Sequence, residues 1–366
     1  CRSRSGGYRW ASGDLAPVFT RAHKGFVRMT IKRVLVTGGA GYVGAVLVPK
    51  LLDAGYEVRV LDLYLYGLNV LAPVKKHPGL KEVVGDIRDT LLLKKTIAGC
   101  DAVIHLACIS NDPSFELDPL VGKSINFDAF RTLFDLSMTS GVKRFVYASS
   151  SSVYGHKKED NVTEDLPLCP LTDYSKYKAL CEEVLLGQRE AGFVPVIVRP
   201  ATLCGYSPRL RLDLVVNALT NDAVNKGAIT VFGGQQYRAN LHIEDMTDLY
   251  VQLLSAPSHL IDSQVFNVGA ENYTVNELAE IVRTEVGLRV RINTEPTNDP
   301  RSYRISSGKL KEVLGFASRR TVSDAVADLV KAFRSGLVPD ALSNPRYYNV
   351  RMMRVSRPHW RSEGGA

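Results

Sequence analysis

The segment Val34-Leu-Val-Thr-Gly-Gly-Ala-Gly-Tyr-Val-Gly44 constrains this chain of 366 residues more than any other stretch. Its aliphatic start predicts a short buried strand. Gly38, Gly41 and Gly44 follow at three-residue intervals, and helical apolar spacing then runs through Val46, Leu47, Leu51 and Leu52. That order reads as strand, tight turn and helix start. One glycine turns the chain, one lets a pyrophosphate approach the backbone without meeting a Cβ, and one lets helix and strand pack closely. The helix start adds free N–H groups and a partial positive charge, so Gly38, Gly41, Tyr42, Val43 and Gly44 form a candidate phosphate cradle.

The next strand, Glu57-Val-Arg-Val-Leu-Asp62, ends on a carboxylate about twenty positions beyond the glycines, where both hydroxyls of an adenosine ribose can be accepted. Asp62 favours NAD because a 2′-phosphate would be repelled, although Arg59 nearby leaves NADP open. A third strand, 80–86, places Asp86 and Ile87 beside the adenine. A short helix through Leu91 to Ile97 leads to a nearly continuous apolar strand over 102–107, as expected for a parallel strand covered on both faces. A helix from near Val121 to Gly141 precedes a fifth strand over 143–149. This alternation, without internal repeats, predicts an α/β fold: a Rossmann-type doubly wound parallel sheet with a smaller C-terminal α/β substrate-binding lobe. The dinucleotide-binding domain is expected over 31–200 and the substrate lobe, interleaved with the sheet, over 201–345. Residues 1–30 are set aside as an arm outside the fold. Residues 344–350 are expected as a strap and 346–366 mainly as a mobile basic tail.

The formal charge of +8 would suggest a nucleic-acid partner only if it were concentrated on the folded body. The first 30 residues carry +5 and the last 21 carry +4, which leaves the body near −1. Neither nucleic acid nor membrane is therefore expected as a partner. No run approaches the ~18 apolar residues of a membrane span. Cys100, Cys108, Cys169, Cys181 and Cys204 show no metal-type spacing and read as reduced thiols of a cytoplasmic protein.

The fifth strand runs into four serines, Ser149 to Ser152, which alone would read as a flexible loop. Downstream, Tyr174-Ser-Lys-Tyr-Lys178 opens a helix through Leu180, Val184 and Leu185. Tyr174 and Lys178 stand four apart and share a helical face. A lysine cation beside a tyrosine favours the phenolate, which makes Tyr174 a candidate base near neutral pH.

Taken together, Thr37-Gly-x-x-Gly-x-x-Gly44, Asp62, Asp86, His105-Leu-Ala107, Ser149-Ser-Ser-Ser-Val-Tyr-Gly155, Tyr174-x-x-x-Lys178 and Arg199-Pro200 resemble the extended short-chain dehydrogenase/reductase family. The resemblance spans about Ile31 to Arg346 and is strongest to its nucleotide-sugar epimerases and dehydratases. It implies NAD as cofactor and a nucleoside-diphosphate sugar as substrate. Ser150 would hydrogen-bond the reacting hydroxyl, Tyr174 would be the base, and Lys178 would bind the nicotinamide ribose. Leu106, Ala107, Asn126, Ser149, Arg199 and Pro200 would line the cofactor. Ser151, Thr202, Asn217, Arg238 and Arg301 would meet the substrate, the arginines gripping its phosphates. A homodimer through the helices at 121–140 and 173–191 is implied, and no metal. Tyr177 lacks a lysine four residues on and reads as packing; His156 and His242 read as rim or structural residues.

Dehydratases and decarboxylases of this family use an acid near the catalytic serine, where this chain has Ser151 and Ser152. The cysteine of GDP-mannose 3,5-epimerases is likewise replaced by Ser152. Reversible oxidation at C4 needs only one base and a hydride acceptor, so 4-epimerisation through a transient 4-keto sugar is expected. A one-way 4-keto sugar reductase and a non-catalytic dinucleotide-binding protein are the alternatives. Thr202, Cys204 and Ala239-Asn240 depart from the usual family residues on the substrate side.

Overall fold

In the computed structural model, which describes residues 30–188, 190–297 and 302–356, the glycine segment lies at the centre of a seven-stranded parallel sheet. Strands β1 (Arg33–Thr37), β2 (Glu57–Asp62) and β3 (Leu80–Val84) are laid down in one direction. The chain then returns to place β4 (Ala102–His105) on the other side of β1, and β5 (Arg144–Ala148) and β6 (Val194–Pro200) follow. Strands β7 (Thr202–Cys204), β8 (Ala228–Phe232) and β9 (Tyr237–His242) leave the sheet before β10 (Gln264–Val268) completes it beside β6. The order is β10-β6-β5-β4-β1-β2-β3, with Val36 opposite Val60 on one side and Ile104 on the other. Direction reverses between β1 and β4, and a doubly wound sheet opens a crevice at the carboxyl ends of the strands there.

Alternation along β1 sends Val34 and Val36 to one face, with Leu47, Leu51 and Leu249, and Leu35 to the other, with Phe130, Phe134 and Phe145. Both faces are thus covered, which is why the central strands are continuously apolar. A second lobe holds the three-stranded sheet β7-β9-β11, with β11 at Glu271–Thr274, and the parallel pair of β8 with β12 (Arg291–Glu295). Its core joins Val216, Ile229, Leu278 and Val326 from these strands and three helices, Val215–Lys226, Val275–Val286 and Val322–Arg334.

Two local features differ from expectation. The helix expected from Val121 to Gly141 is α-helical over Pro119–Lys123, a π-turn over Ser124–Asp128 and α-helical again over Ala129–Thr139. The wide turn lets the buried Asn126 side chain clasp the Ile109 backbone, accepting from its N–H at 2.8 Å and donating to its C=O at 3.0 Å. Residues 346–356, expected within a basic tail, belong instead to a 3₁₀ turn (Pro345–Tyr347) and a helix (Asn349–Ser356) that buries Met353 and Asn349. Met353 packs in the cluster of Phe130 and Phe134, Tyr347 and Tyr348 pack beside Leu210 and Leu212, and the Leu212 N–H donates to the Tyr347 carbonyl, which ties this segment to the body. Residues 357–366 and 1–29 lie outside the described residues.

Arg199, expected at the cofactor, lies behind the sheet's working edge. Its guanidinium forks onto Glu182 of the Asp173–Gly187 helix, at 2.6 Å for the shortest contact, with the side chains 6% and 2% exposed. It also donates to the Tyr154 hydroxyl at 2.6 Å, while Ser149 donates to Glu182. The arginine therefore ties β6, the serine turn and the Asp173–Gly187 helix together. Replacing Arg199 with Ala leaves the Glu182 charge buried and unpaired, and is expected to cost about 3–5 kcal/mol. Urea unfolding checks this; a loss below about 1 kcal/mol would contradict the assigned role.

Candidate active site

The β1/β4 crevice opens into a cavity of about 700 Å³ between the two lobes. Its floor begins at Gly38, which has a left-handed φ of +74°. A Cβ there would lie 2.6 Å from the Ala107 amide nitrogen, so only glycine allows the ends of β1 and β4 to meet so closely. Gly41, Tyr42, Val43 and Gly44 continue the wall into the Gly44–Asp53 helix, whose N-terminus has no side-chain cap. The Ala45 N–H is taken up by the Gly41 carbonyl at 2.9 Å, and a helix start without a side-chain cap is where a ligand phosphate would be received.

Asp62 ends β2 at the same wall and accepts from the Ala40 N–H at 3.0 Å and the Tyr64 N–H at 2.7 Å. Burial raises its pKa, and these two N–H groups oppose that. The carboxylate thus fixes the glycine turn and also faces the cavity. Arg59 points elsewhere, donating to the Thr96 and Ala98 carbonyls, which removes the sequence argument for a 2′-phosphate partner. Asp86, paired with Arg88 at 2.6 Å, lines the far end together with Ile87, and Leu106 and Ala107 line the middle. The glycine cradle, the ribose carboxylate and the apolar slot fit a dinucleotide of NAD type.

At the other end Ser149, Ser150, Ser151, Tyr174, Lys178 and Pro200 line the cavity. Thr172 caps the Asp173–Gly187 helix in a capping box with Ser175, which sets Tyr174 in the first turn. Ser150 caps the 3₁₀ turn Ser151–Tyr154 and accepts from the Ser152 N–H at 3.1 Å and hydroxyl at 2.9 Å. Ser151 donates to the Tyr303 hydroxyl at 3.3 Å. Lys178 donates to the Ala148 carbonyl at 2.6 Å, with its ammonium 5.9 Å from the Tyr174 ring centre. Burial pushes the Tyr174 hydroxyl well above its ordinary pKa, and the nearby Cys108 and Asp112 push the same way. The groups that pull it back are Arg211 and a hydrogen bond with Ser150.

Thr202 and Arg238 line the substrate side. Asn217 does not: it is fully buried, accepting from the Gly205 N–H and donating to the Tyr42 hydroxyl and the Arg211 carbonyl. It acts as a clamp beneath the wall, as Asn126 does beneath Ile109. Arg301 lies outside the described residues. Tyr177 packs between Phe115 and Phe127, His242 is buried with Nδ1 accepting from the Glu244 N–H, and His156 is exposed. No group of three or more metal-binding side chains occurs among the described residues.

Several lining residues carried no assignment from the sequence. Arg209, Arg211 and Asp213 come from the loop before the Val215–Lys226 helix, and Asn349 from the C-terminal segment. Asp112, the first residue of the short helix Asp112–Phe115 after β4, accepts from the Thr172 hydroxyl, and the preceding Asn111 takes a φ of +83°. The doublet Arg209-x-Arg211 was a usable signal, since buried arginines need an anionic partner. Nothing in the sequence marked Asn349.

The sequence model of one family, described as the NAD dependent epimerase/dehydratase family, matches residues 34–269. A UDP-glucose 4-epimerase of Lactobacillus helveticus is 30% identical over 83% of this chain and 97% of its own length. A UDP-glucuronic acid decarboxylase of Arabidopsis thaliana is 29% identical over 84% of this chain and 71% of its own. The crystal structure of a dTDP-glucose 4,6-dehydratase from Streptomyces venezuelae, with NAD bound, superposes with a TM-score of 0.76 at 26% identity, covering 86% of this chain and 99% of that one. Matched over most of its sheet and carrying a cradle built for that cofactor, the chain belongs to the NAD dependent epimerase/dehydratase family.

Proposed function

We propose that this chain is an NAD-dependent 4-epimerase of a nucleoside-diphosphate sugar. The observation that carries the reading is Ser150, Tyr174 and Lys178 on one cavity wall with hydroxyls, Ser151 and Ser152, where water-eliminating relatives need an acid. Tyr174 takes the proton of the C4 hydroxyl, with Ser150 bridging the two oxygens. Bound NAD supplies a reversible hydride acceptor at C4. Lys178, held by the Ala148 carbonyl, keeps a positive charge beside the nicotinamide-ribose end of the cavity. The 4-keto sugar must then turn and recover its hydride on the opposite face, so the firm grip falls on the diphosphate, for which Arg238 is the described candidate.

Asp112 supports a second reading, because it brings a carboxylate near Tyr174 from a different segment than the serine turn. An acid there could serve elimination. A panel of UDP-, dTDP- and GDP-sugars incubated without added cofactor separates the two: a C4-inverted sugar is expected, and a 4-keto-6-deoxy product would overturn the epimerase. A homodimer is part of the proposal. Leu180 and Leu186 are exposed on the second of the helices expected to pair, and light scattering at the monomer mass would remove it.

Tyr174→Phe is expected to retain NAD but lose turnover by about 10²–10⁴-fold, measured with the cofactor content of the purified protein. Near-normal turnover would refute the base. Asp112→Asn removes a negative charge that raises the Tyr174 pKa, so the phenolate forms more readily. The rising limb of the pH–rate profile is expected to move to lower pH; movement to higher pH would show that Asp112 does not act on the tyrosine.

A further inference from the structure

Asn349 opens the last helix, lines the cavity and is buried. Both ends of its side chain are engaged by segments remote in sequence. Its Oδ1 accepts from the Tyr66 hydroxyl at 3.1 Å and from Arg209 Nη2. Its Nδ2 donates to the Ser110 carbonyl at 3.1 Å and to the Ser110 hydroxyl at 2.9 Å. The backbone N–H of the same residue donates to Asp213 at 3.1 Å. A short side chain that presents an acceptor to two donors and donors to two acceptors has to be an amide.

What these bonds join is informative. Tyr66 lies just beyond Asp62 at the end of β2, and Ser110 lies just beyond Ala107 after β4. Strands β2 and β4 flank β1 on opposite sides, and the cofactor site runs between their ends. One side chain thus bridges the two sides of that crevice. Arg209 extends the bridge on the β2 side, with its guanidinium 3.4 Å from the centre of the Tyr66 ring. Arg346 lies against the same loop, since a Cβ on Gly67 would come 3.7 Å from its Nη1. By contrast, Met353 is the one buried apolar side chain of the Asn349–Ser356 helix. A segment held more by polar links than by packing opens at lower cost than the core beneath it.

We propose that residues 345–356 form a latch across the cofactor crevice, with Asn349 as the positioning residue that holds it shut, so that NAD enters and leaves only when this segment lifts. The latch depends on the cofactor site and not on which sugar reaction follows. A reaction that returns its hydride within each cycle needs no exchange of cofactor between turnovers, and a crevice kept closed suits it.

Uptake and release of radiolabelled NAD by the full chain, followed by rapid filtration, test the latch. In Asn349→Ala both rates are expected to rise about tenfold, as losing one or two net hydrogen bonds from the closed state implies. A residue that serves only the bound complex changes release alone. Faster release with unchanged uptake would therefore reduce Asn349 to a support for Arg209, and unchanged rates would show that the segment gates nothing; either result overturns the proposal. The parent protein gives a second reading that needs no substitution and stands if Asn349→Ala does not fold. Hydrogen exchange of the Asn349 N–H and of the Leu212 N–H, which donates to the Tyr347 carbonyl, is expected to slow about tenfold on loading with NAD, because a segment that closes over the cofactor is held by it in turn. Equal exchange with and without NAD would overturn the latch.

Discussion

The approach of Gly38 to the backbone of Ala107 is the constraint from which the rest of the structure follows. A Cβ at residue 38 would lie 2.6 Å from a peptide nitrogen that cannot move without parting β1 from β4. Because no side chain intervenes, the carboxyl ends of these strands meet at the reversal of sheet order, and the crevice there is lined by backbone. The Gly44–Asp53 helix then starts at the wall of that crevice, and Asp62 holds the turn by accepting from the Ala40 N–H. One short contact thus links the fold's topology to its phosphate cradle.

The reactive end depends on a different balance. Tyr174 is placed in a setting that disfavours its anion, through burial and the neighbouring Cys108 and Asp112. Arg211 and Ser150 work against that. A hydroxyl held neutral until charge and hydrogen bonds converge on it suits a proton that has to leave and return in one catalytic cycle. Arg211, held by Asp213, acts on the tyrosine through its charge. The buried Arg199–Glu182 pair lies behind both, tying the serine turn to the catalytic helix.

Much of the sheet was legible because parallel strands covered on both faces must be continuously apolar, and the glycine spacing fixed where the first strand ends. The catalytic helix was legible because Tyr174 and Lys178 share a face. The second layer was less so. Arg199, Asn126 and Asn217 were placed in the site by resemblance, yet their polar atoms are turned to backbone and side chains beneath the wall, because a buried polar group must find its partners nearby. Asn349 was hidden for the opposite reason: it is separated from Ser110 by 239 positions and lies in a segment whose basic composition resembled a tail. Pairings over such distances leave no periodic trace in a single sequence.

The central claim is that the sugar is oxidised and reduced at the same carbon within one site. Its most direct measurement uses a nucleotide sugar that the protein turns over, carrying deuterium at C4, in ordinary water with no cofactor added. The account predicts an inverted product that retains the deuterium at C4, since the hydride taken from that carbon returns to it. Loss of the label to solvent, or product that forms only when reduced cofactor is supplied in stoichiometric amount, would contradict it.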